Sequence, residues 1–399
     1  MHLNTLEILS LTLTDLLSPP ASPLSRPFLR YSSLLKLLLV SRSFHSFYLP
    51  ILYSRIFISC GNSQLLPLLH TLKNRPELAK EVMRLSFVSR HKEVKEWDLS
   101  LIGDVLEMFT ELRELTVCVP TTFGLKEDFL SSKSLRNLNS LTLATPIRPP
   151  LSHFPAPRPP SFSLDSLSLL PSFSASSGLG FAPTFTILLS PRSPSGECSL
   201  SSLKNLSLAD SHLHPLTIPP NLARIVRNTL IAVSLPRFTH LHSYDQASLP
   251  AYDPPEGSVI GGGTTDHETR FSCDPPRNLH PSRQFLDELS SSSSPSVGPS
   301  HTVEESKLRF VHLPNFGHLG TIHHFPSTLT HLLIGPTRGG QVTSEKVGEL
   351  GSCLVNTKAE LREIGLLFEG MRRFGRELEG MKMEVERQRE ECRVELRWI

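Results

Sequence analysis

Cysteine is scarce and never clustered in this chain of 399 residues: the six stand at 60, 118, 198, 273, 353 and 392, too far apart for a metal knuckle or a C-x-x-C redox pair. A secreted disulfide scaffold is shorter and denser in cysteine, so the spacing points to a reducing compartment, the cytoplasm or nucleus. An excess of one charge is also missing. Lys and Arg number 40 against 38 Asp and Glu, and the net +2 gives no long-range field to draw in a polyanion. No basic cluster marks a nucleic-acid face. No apolar run spans a bilayer, since Leu34–Val40 is short and broken by Lys36. The first residues lack the basic start of a signal peptide and carry Glu7 and Asp15.

Catalytic signatures are absent too. There is no G-x-S-x-G elbow, no phosphate-binding G-x-x-x-x-G-K-[ST] loop and no H-E-x-x-H. Gly178-Leu179-Gly180 reads as a serine-rich turn, and Gly261–Gly263 as linker. The histidine pairs His212/His214, His240/His242 and His323/His324 each offer two ligands, whereas zinc needs three or four. Asp266-His267-Glu268 lies in a stretch with no rigid support. The expectation is a protein that is not an enzyme and has no cofactor and no metal.

Hydrophobic residues make up 39% and charged residues 20%, both low for a globular chain, while proline rises to 34 residues. Part of the chain is therefore expected to stay unpacked, and long regular helices cannot fill it. At the N-terminus, Asn4-Thr5-Leu6-Glu7 has the form of a capping box, followed by a helical stripe of Leu6, Leu9, Leu13, Leu16 and Leu17. Ser18-Pro19-Pro20 ends that helix. A second helix is expected from Ser32 or Ser33, with Leu37, Val40, Phe44 and Phe47 on one face and enough further leucines to need cover on more than one side. Pro50 suits the first turn of a short third helix, Pro50–Arg55, before an extended Ile56-Phe57-Ile58.

These residues carry a resemblance. Leu37-Leu38-Leu39-Val40-Ser41-Arg42-Ser43-Phe44 is similar to the second half of the F-box motif. Leu49-Pro50-Ile51-Leu52-Tyr53 looks like its usual ending, and Glu7-Ile8-Leu9-Ser10 with Asp15-Leu16-Leu17 like its first half. Leu3-Asn4 stands where the family usually has Leu-Pro, and Pro19–Arg30 separates the two halves. The segment from Leu6 to Tyr53 thus resembles fungal F-box proteins, which recruit substrates to cullin-RING ubiquitin ligases by packing helices on a Skp-type adaptor. The resemblance implies that Leu9, Leu13, Leu37, Val40, Phe44, Leu52 and Tyr53 form the adaptor-binding face or the core of the F-box.

Beyond it, a six-residue pattern, apolar-x-x-apolar-x-apolar, recurs. It occurs as Val82/Leu85/Phe87, Leu112/Leu115/Val117, Leu138/Leu141/Leu143, Leu164/Leu167/Leu169 and Leu203/Leu206/Leu208, with Phe238/Leu241 as a weak copy. It returns as Leu308/Val311/Leu313, Leu329/Leu332/Ile334 and Leu361/Ile364/Leu366. The first positions are 30, 26, 26, 39 and 35 residues apart before a long insertion, and 21 and 32 after it. These periods suit leucine-rich repeats, in which a short strand and a return segment bury their apolar faces against neighbouring repeats. The return segments read as helices at Gln64–Leu72 and Asp98–Phe109. No asparagine ladder follows the strands, so an irregular array is expected. Pro146–Pro160 and Pro171–Gly196 are expected to loop out. Met371, Phe374, Leu378, Met381 and Val385 predict a helix through about Glu390, and Val394–Trp398 alternates like a closing strand.

The expected class is α/β: a three-helix F-box-like segment (1–60), the first part of an irregular leucine-rich-repeat solenoid (61–243), a disordered Pro/Ser/Gly-rich insertion (244–306), and the last repeats with a C-terminal helix (307–399). The expected function is that of a substrate-recruiting adaptor of an SCF-type ligase, its partners a Skp-type adaptor and an unknown protein substrate, with no nucleic acid and no membrane. The alternative is a leucine-rich-repeat scaffold with no ubiquitin-ligase role.

Overall fold

The computed structural model describes residues 39–59, 65–89, 96–119, 124–126, 128–148, 159–170, 181–192, 196–208, 218–219, 221–235, 285–286, 288–289, 306–314, 316–338, 342–369 and 374–398. They fall into two compact units, Met1–Pro219 with Asn228–Val233, and Pro220–Arg227 with Ser234–Ile399. Each is mixed α/β and is built on an open parallel sheet.

The first unit runs α1 (Arg42–Tyr53), β1 (Arg55–Ser59), α2 (Leu65–Asn74), α3 (Pro76–Glu81), β2 (Arg84–Val88), α4 (Glu96–Leu106), β3 (Glu114–Cys118), two short 3-10 turns, β4 (Ser140–Leu143), β5 (Ser166–Leu169), α5 (Ala182–Leu188) and β6 (Asn205–Leu208). The six strands pair in chain order, every pair parallel. Leu85, Leu115, Leu141, Leu167 and Leu206 share one register row, and Phe87, Val117, Leu143, Leu169 and Leu208 the next. With the leading Val82, Leu112, Leu138, Leu164 and Leu203, all fifteen side chains are buried. Strand residues alternate between faces, so Ser140, Thr142, Ser166 and Ser168 point away from that core. Leu-Ser-Leu is poor strand material by propensity. Burial of the leucines, about 1.5–3 kcal/mol each, overrides it.

A backbone device fixes the step between repeats. The residue before each strand offers one carbonyl to two amides of the following repeat. Met83 O accepts from Arg113 at 2.8 Å and Glu114 at 3.0 Å; Arg113 O accepts from Asn139 at 2.9 Å and Ser140 at 3.0 Å. Asn139 O, Asp165 O and Lys204 O repeat the pattern toward the next repeat, the last receiving Ile231 and Ala232. Ala232 and Val233 open β7 (Ala232–Ser234). Its repeat, Leu230/Val233/Leu235, is buried and has the same spacing, yet sequence reasoning passed over it for Phe238/Leu241, which lie outside the described residues. Hydroxyls do the work of the missing asparagine ladder: Thr145 Oγ1 accepts from the Val119 amide at 3.1 Å and donates to its carbonyl at 2.7 Å, and Ser202 Oγ donates to Leu164 O at 3.1 Å.

Parts of the proline-rich interruptions pack instead of looping out. In Pro171–Gly196, residues 182–188 form α5, which buries Thr184, Phe185, Ile187 and Leu188. Pro183 sits in the first turn, where its missing N–H costs nothing. In Pro146–Pro160, Ile147 is buried, bridges to Leu125 and donates its amide to Thr184 Oγ1 at 3.3 Å.

The first sixty residues also differ from expectation. Ser41 has an extended backbone and its hydroxyl accepts from the Phe44 amide at 3.2 Å, so α1 starts at Arg42 and does not run on from Leu37. Pro50 lies inside α1 and starts no new helix. It removes one helical hydrogen bond, but Leu49, Ile51 and Leu52 around it pack with Phe44 on Tyr48, which holds the turn. The helix expected over the first stripe lies outside the described residues.

The second unit contains α6 (Leu222–Val226), β8 (Phe310–Leu313), a 3-10 segment (Phe316–His324), β9 (His331–Arg338), α7 (Ser344–Asn356), β10 (Glu363–Glu369), α8 (Gly375–Gln388) and β11 (Arg393–Trp398). Strands β8 to β11 are again parallel and in chain order, with Val311, Leu332, Ile364 and Val394 in one row. Arg309 O and Thr330 O each take two amides from the following repeat. Gly335, at φ 113, sits where β9 and β10 slip register, and a Cβ there would run into the Leu367 carbonyl. The Arg389 guanidinium, past the end of α8, donates to Ala359 O at 2.8 Å and to Thr357 O, tying that helix to the turn before β10. In the 244–306 insertion, residues 285–286 and 288–289 are helical, and Phe285, Leu286 and Leu289 are buried. The apolar triplet gives this end of the segment something to bury.

Two substitutions separate the row from its reverse side. Leu141→Ala is expected to cost about 2–5 kcal/mol in denaturant unfolding, while Ser166→Ala, one strand over on the other face, stays within about 0.5 kcal/mol.

Candidate functional site

Among the described residues, α1 and the turn before it carry the largest exposed apolar side chains near the start of the fold. Leu39 is 87% exposed, Val40 65% and Phe47 40%. The opposite side of the same helix is anchored. Tyr48 is fully buried, with the rings of Phe44 and Phe47 at 5.7 and 5.0 Å from its own. Its hydroxyl has no hydrogen-bond partner among the described residues, and burial pushes its phenol up. The helix thus buries Tyr48 among its own Phe44, Leu49, Ile51 and Leu52, while Phe47 on the helix and Leu39 and Val40 in the turn before it meet solvent.

Of the residues singled out from sequence, Phe44 and Leu52 come together on Tyr48, both half-buried. Val40 is exposed and stands apart from them. Tyr53, half-buried, ends α1 three residues ahead of Ile56, in the leading position of a repeat completed by Ile58 on β1. Leu9, Leu13 and Leu37 lie outside the described residues. Sequence reasoning missed Tyr48, the anchor of the group. The signal was present: Phe44, Tyr48, Ile51 and Leu52 follow helical spacing straight through Pro50.

The second surface is the side of the first unit's sheet that faces away from the leucine rows. One register row there is Ser86, Thr116, Thr142, Ser168 and Ser207; another begins with Arg84 and Glu114, paired at 2.9 Å, and continues with Ser140, Ser166 and Asn205. At the far end Val88, Cys118 and Ala144 are buried together, with Phe57 and Leu170 packed on them. The face is a strip of hydroxyls between a charged pair and an apolar patch. It has groups for hydrogen bonding and packing.

In the second unit, His312 Nε2 lies 2.6 Å from Gly335 O, which requires that nitrogen to carry the proton, and Ser234 Oγ lies 2.8 Å from Nδ1. His323 Nε2 is 3.4 Å from Cys353 Sγ, a thiol that burial pushes up and so keeps protonated. Among the described residues no three His, Cys, Asp or Glu side chains cluster as metal ligands, and no helix is long and apolar enough to cross a membrane.

Comparison with models of known protein families, and with curated proteins, finds no match to this chain.

Burial pushes the Cys118 and Cys392 thiols up from 9.0 to about 11, against the smaller pull of the Ala144 backbone on the first and of Arg389 on the second. The folded state thus disfavours both thiolates. Their contribution to stability is complete below about pH 9 and is lost as pH rises toward about 11. Denaturation midpoints measured from pH 8 to 11 are expected to fall across that window, and Cys118→Ala should flatten part of the fall.

Proposed function

We propose that this protein is a substrate-recruiting adaptor of an SCF-type cullin-RING ubiquitin ligase, with the N-terminal F-box-like segment docking a Skp-type adaptor and the repeats holding a protein substrate. The observation that carries the proposal is the exposed apolar group at the start of the fold: Leu39 and Val40 in the turn before α1 and Phe47 on the helix are exposed, while Tyr48 is buried among the other apolar residues of α1. Exposed apolar side chains grouped on α1 and the turn before it favour a protein partner, and the V-S-R-S-F run over the same residues supports a Skp-type adaptor as that partner.

The repeats are read as an irregular leucine-rich-repeat solenoid. Apolar side chains, mostly leucine, held in rows through five sequential parallel strands support this reading, as does the carbonyl column that repeats from Met83 to Lys204. The strip of Ser and Thr opposite the leucines is the proposed substrate face. A receptor of this kind needs no catalytic group of its own: it acts by raising the effective concentration of a substrate lysine near the charged ubiquitin carrier.

The test is co-expression with a Skp-type adaptor followed by size-exclusion chromatography. The wild-type chain is expected to co-elute with the adaptor, and Val40→Asp with Phe47→Asp to lose it while melting within a few degrees of wild type. Co-elution of the folded double variant, or no co-elution of the wild type, would instead leave α1 as the cap of a repeat scaffold.

A further inference from the structure

Strand β11 forms the end of the second unit's sheet, and among the described residues no strand pairs with its outer edge. The Arg393 amide donates inward to Arg362 O at 2.8 Å. By strand alternation, Val394, Leu396 and Trp398 direct their amides and carbonyls outward. Glu386 Oε1 already takes the Val394 amide at 2.8 Å, which leaves the rest of this edge open.

The side chains along the edge complement themselves. Arg393, Glu395 and Arg397 are exposed on one face, with Arg397 and Glu395 paired at 2.8 Å within the strand. On the other face Val394 is buried, Leu396 half-buried and Trp398 44% exposed, its ring stacked on Phe368 at 5.2 Å. Consider a second β11 laid antiparallel with Leu396 opposite Leu396. Glu395 then stands opposite Arg397 and Arg397 opposite Glu395, as a non-hydrogen-bonded pair, where facing side chains are closest. On the core side the buried Val394 stands opposite Trp398 of the other copy. The registers two residues to either side each lose this match. One sets Glu395 opposite Glu395 and Arg393 opposite Arg397; the other sets Arg397 opposite Arg397, so like charges face each other in both.

We propose that the outer edge of β11 is a self-association surface, pairing antiparallel with β11 of a second copy of this chain in the Leu396-to-Leu396 register. The interface is two-fold and self-complementary, so each contact occurs twice. A six-residue strand buries far less than a standard interface of about 1,200–2,000 Å², so the dimer is weak and depends on concentration. Glu386 limits it further by holding one of the outward amides.

Sedimentation equilibrium of the full chain from about 10 to 300 µM, a range that reports a micromolar dissociation constant, tests the pairing. Wild type is expected to shift from monomer toward dimer. Glu395→Arg alone and Arg397→Glu alone each place like charges opposite one another and should weaken association at least tenfold. Mixing these two variants restores every opposite-charge contact in this register, so a 1:1 heterodimer of about wild-type affinity is expected. The double variant Glu395→Arg with Arg397→Glu should self-associate like wild type, which guards against a single variant that merely misfolds. A wild type that stays monomeric, single variants that dimerise as wild type does, or a mixture and a double variant that both stay monomeric would each overturn the proposal.

Discussion

The repeats of the first unit depend on one constraint: successive parallel strands must meet with no register slip. The side-chain period of a strand is two, so a one-residue slip would turn the leucine rows outward and the serines in. The shared carbonyls hold the step. Met83, Arg113, Asn139, Asp165 and Lys204 each accept two amides from the following repeat, and the first residue of every strand is set from there. The return segments are then free to vary. They are a helix at α4, 3-10 turns between β3 and β4, and a proline-bearing helix at α5. Repeat lengths that differ by a dozen residues close on the same strand geometry because the backbone fixes position at the strand entrance and the leucines fix orientation one and three residues later.

This arrangement separates stability from recognition. The leucine rows carry the core, while the reverse face of each strand is released to Ser, Thr and a few charges. A similar division is seen at α1, where Tyr48 is buried among Phe44, Leu49, Ile51 and Leu52 while Phe47, and Leu39 and Val40 in the turn before the helix, are left to solvent. Surfaces of this composition offer hydrogen bonding and apolar contact. The proposed adaptor role asks for no chemistry beyond that, and the proposed pairing of β11 would use the same logic at a sheet edge.

Much of the strand framework was legible in the sequence, because its signal is strict. Eight copies of a three-point apolar pattern appear in the structure as strands with their apolar positions buried. The ninth, Leu230/Val233/Leu235, has the same spacing and was readable in principle. The return segments were less legible. Pro171–Gly196 reads as low complexity by composition, yet Phe181, Phe185 and Leu188 lie four and three residues apart and are buried, and Pro183 falls in the first turn where a helix tolerates it. Pro50 misled for the same reason: the rule that proline starts a helix applies to an isolated chain, and α1 keeps going because Tyr48 anchors both sides of it. The two surfaces were legible in unequal measure. The helical spacing of Val40, Phe44 and Phe47 is visible in the sequence, but Val40 lies in the turn before α1 and Phe44 packs on Tyr48, whereas the hydroxyl strip emerges only when five strands are set in register.

Hydrogen exchange followed by mass spectrometry tests the central claim most directly. The amides of Arg113, Glu114, Asn139, Ser140, Asp165 and Ser166, which donate to the carbonyl column, are predicted to exchange slowly and together, as one cooperative block with the strands they open. Exchange of these amides at the rate of an unprotected loop, with the strands still protected, would contradict the account: the register would then be held by side-chain packing alone.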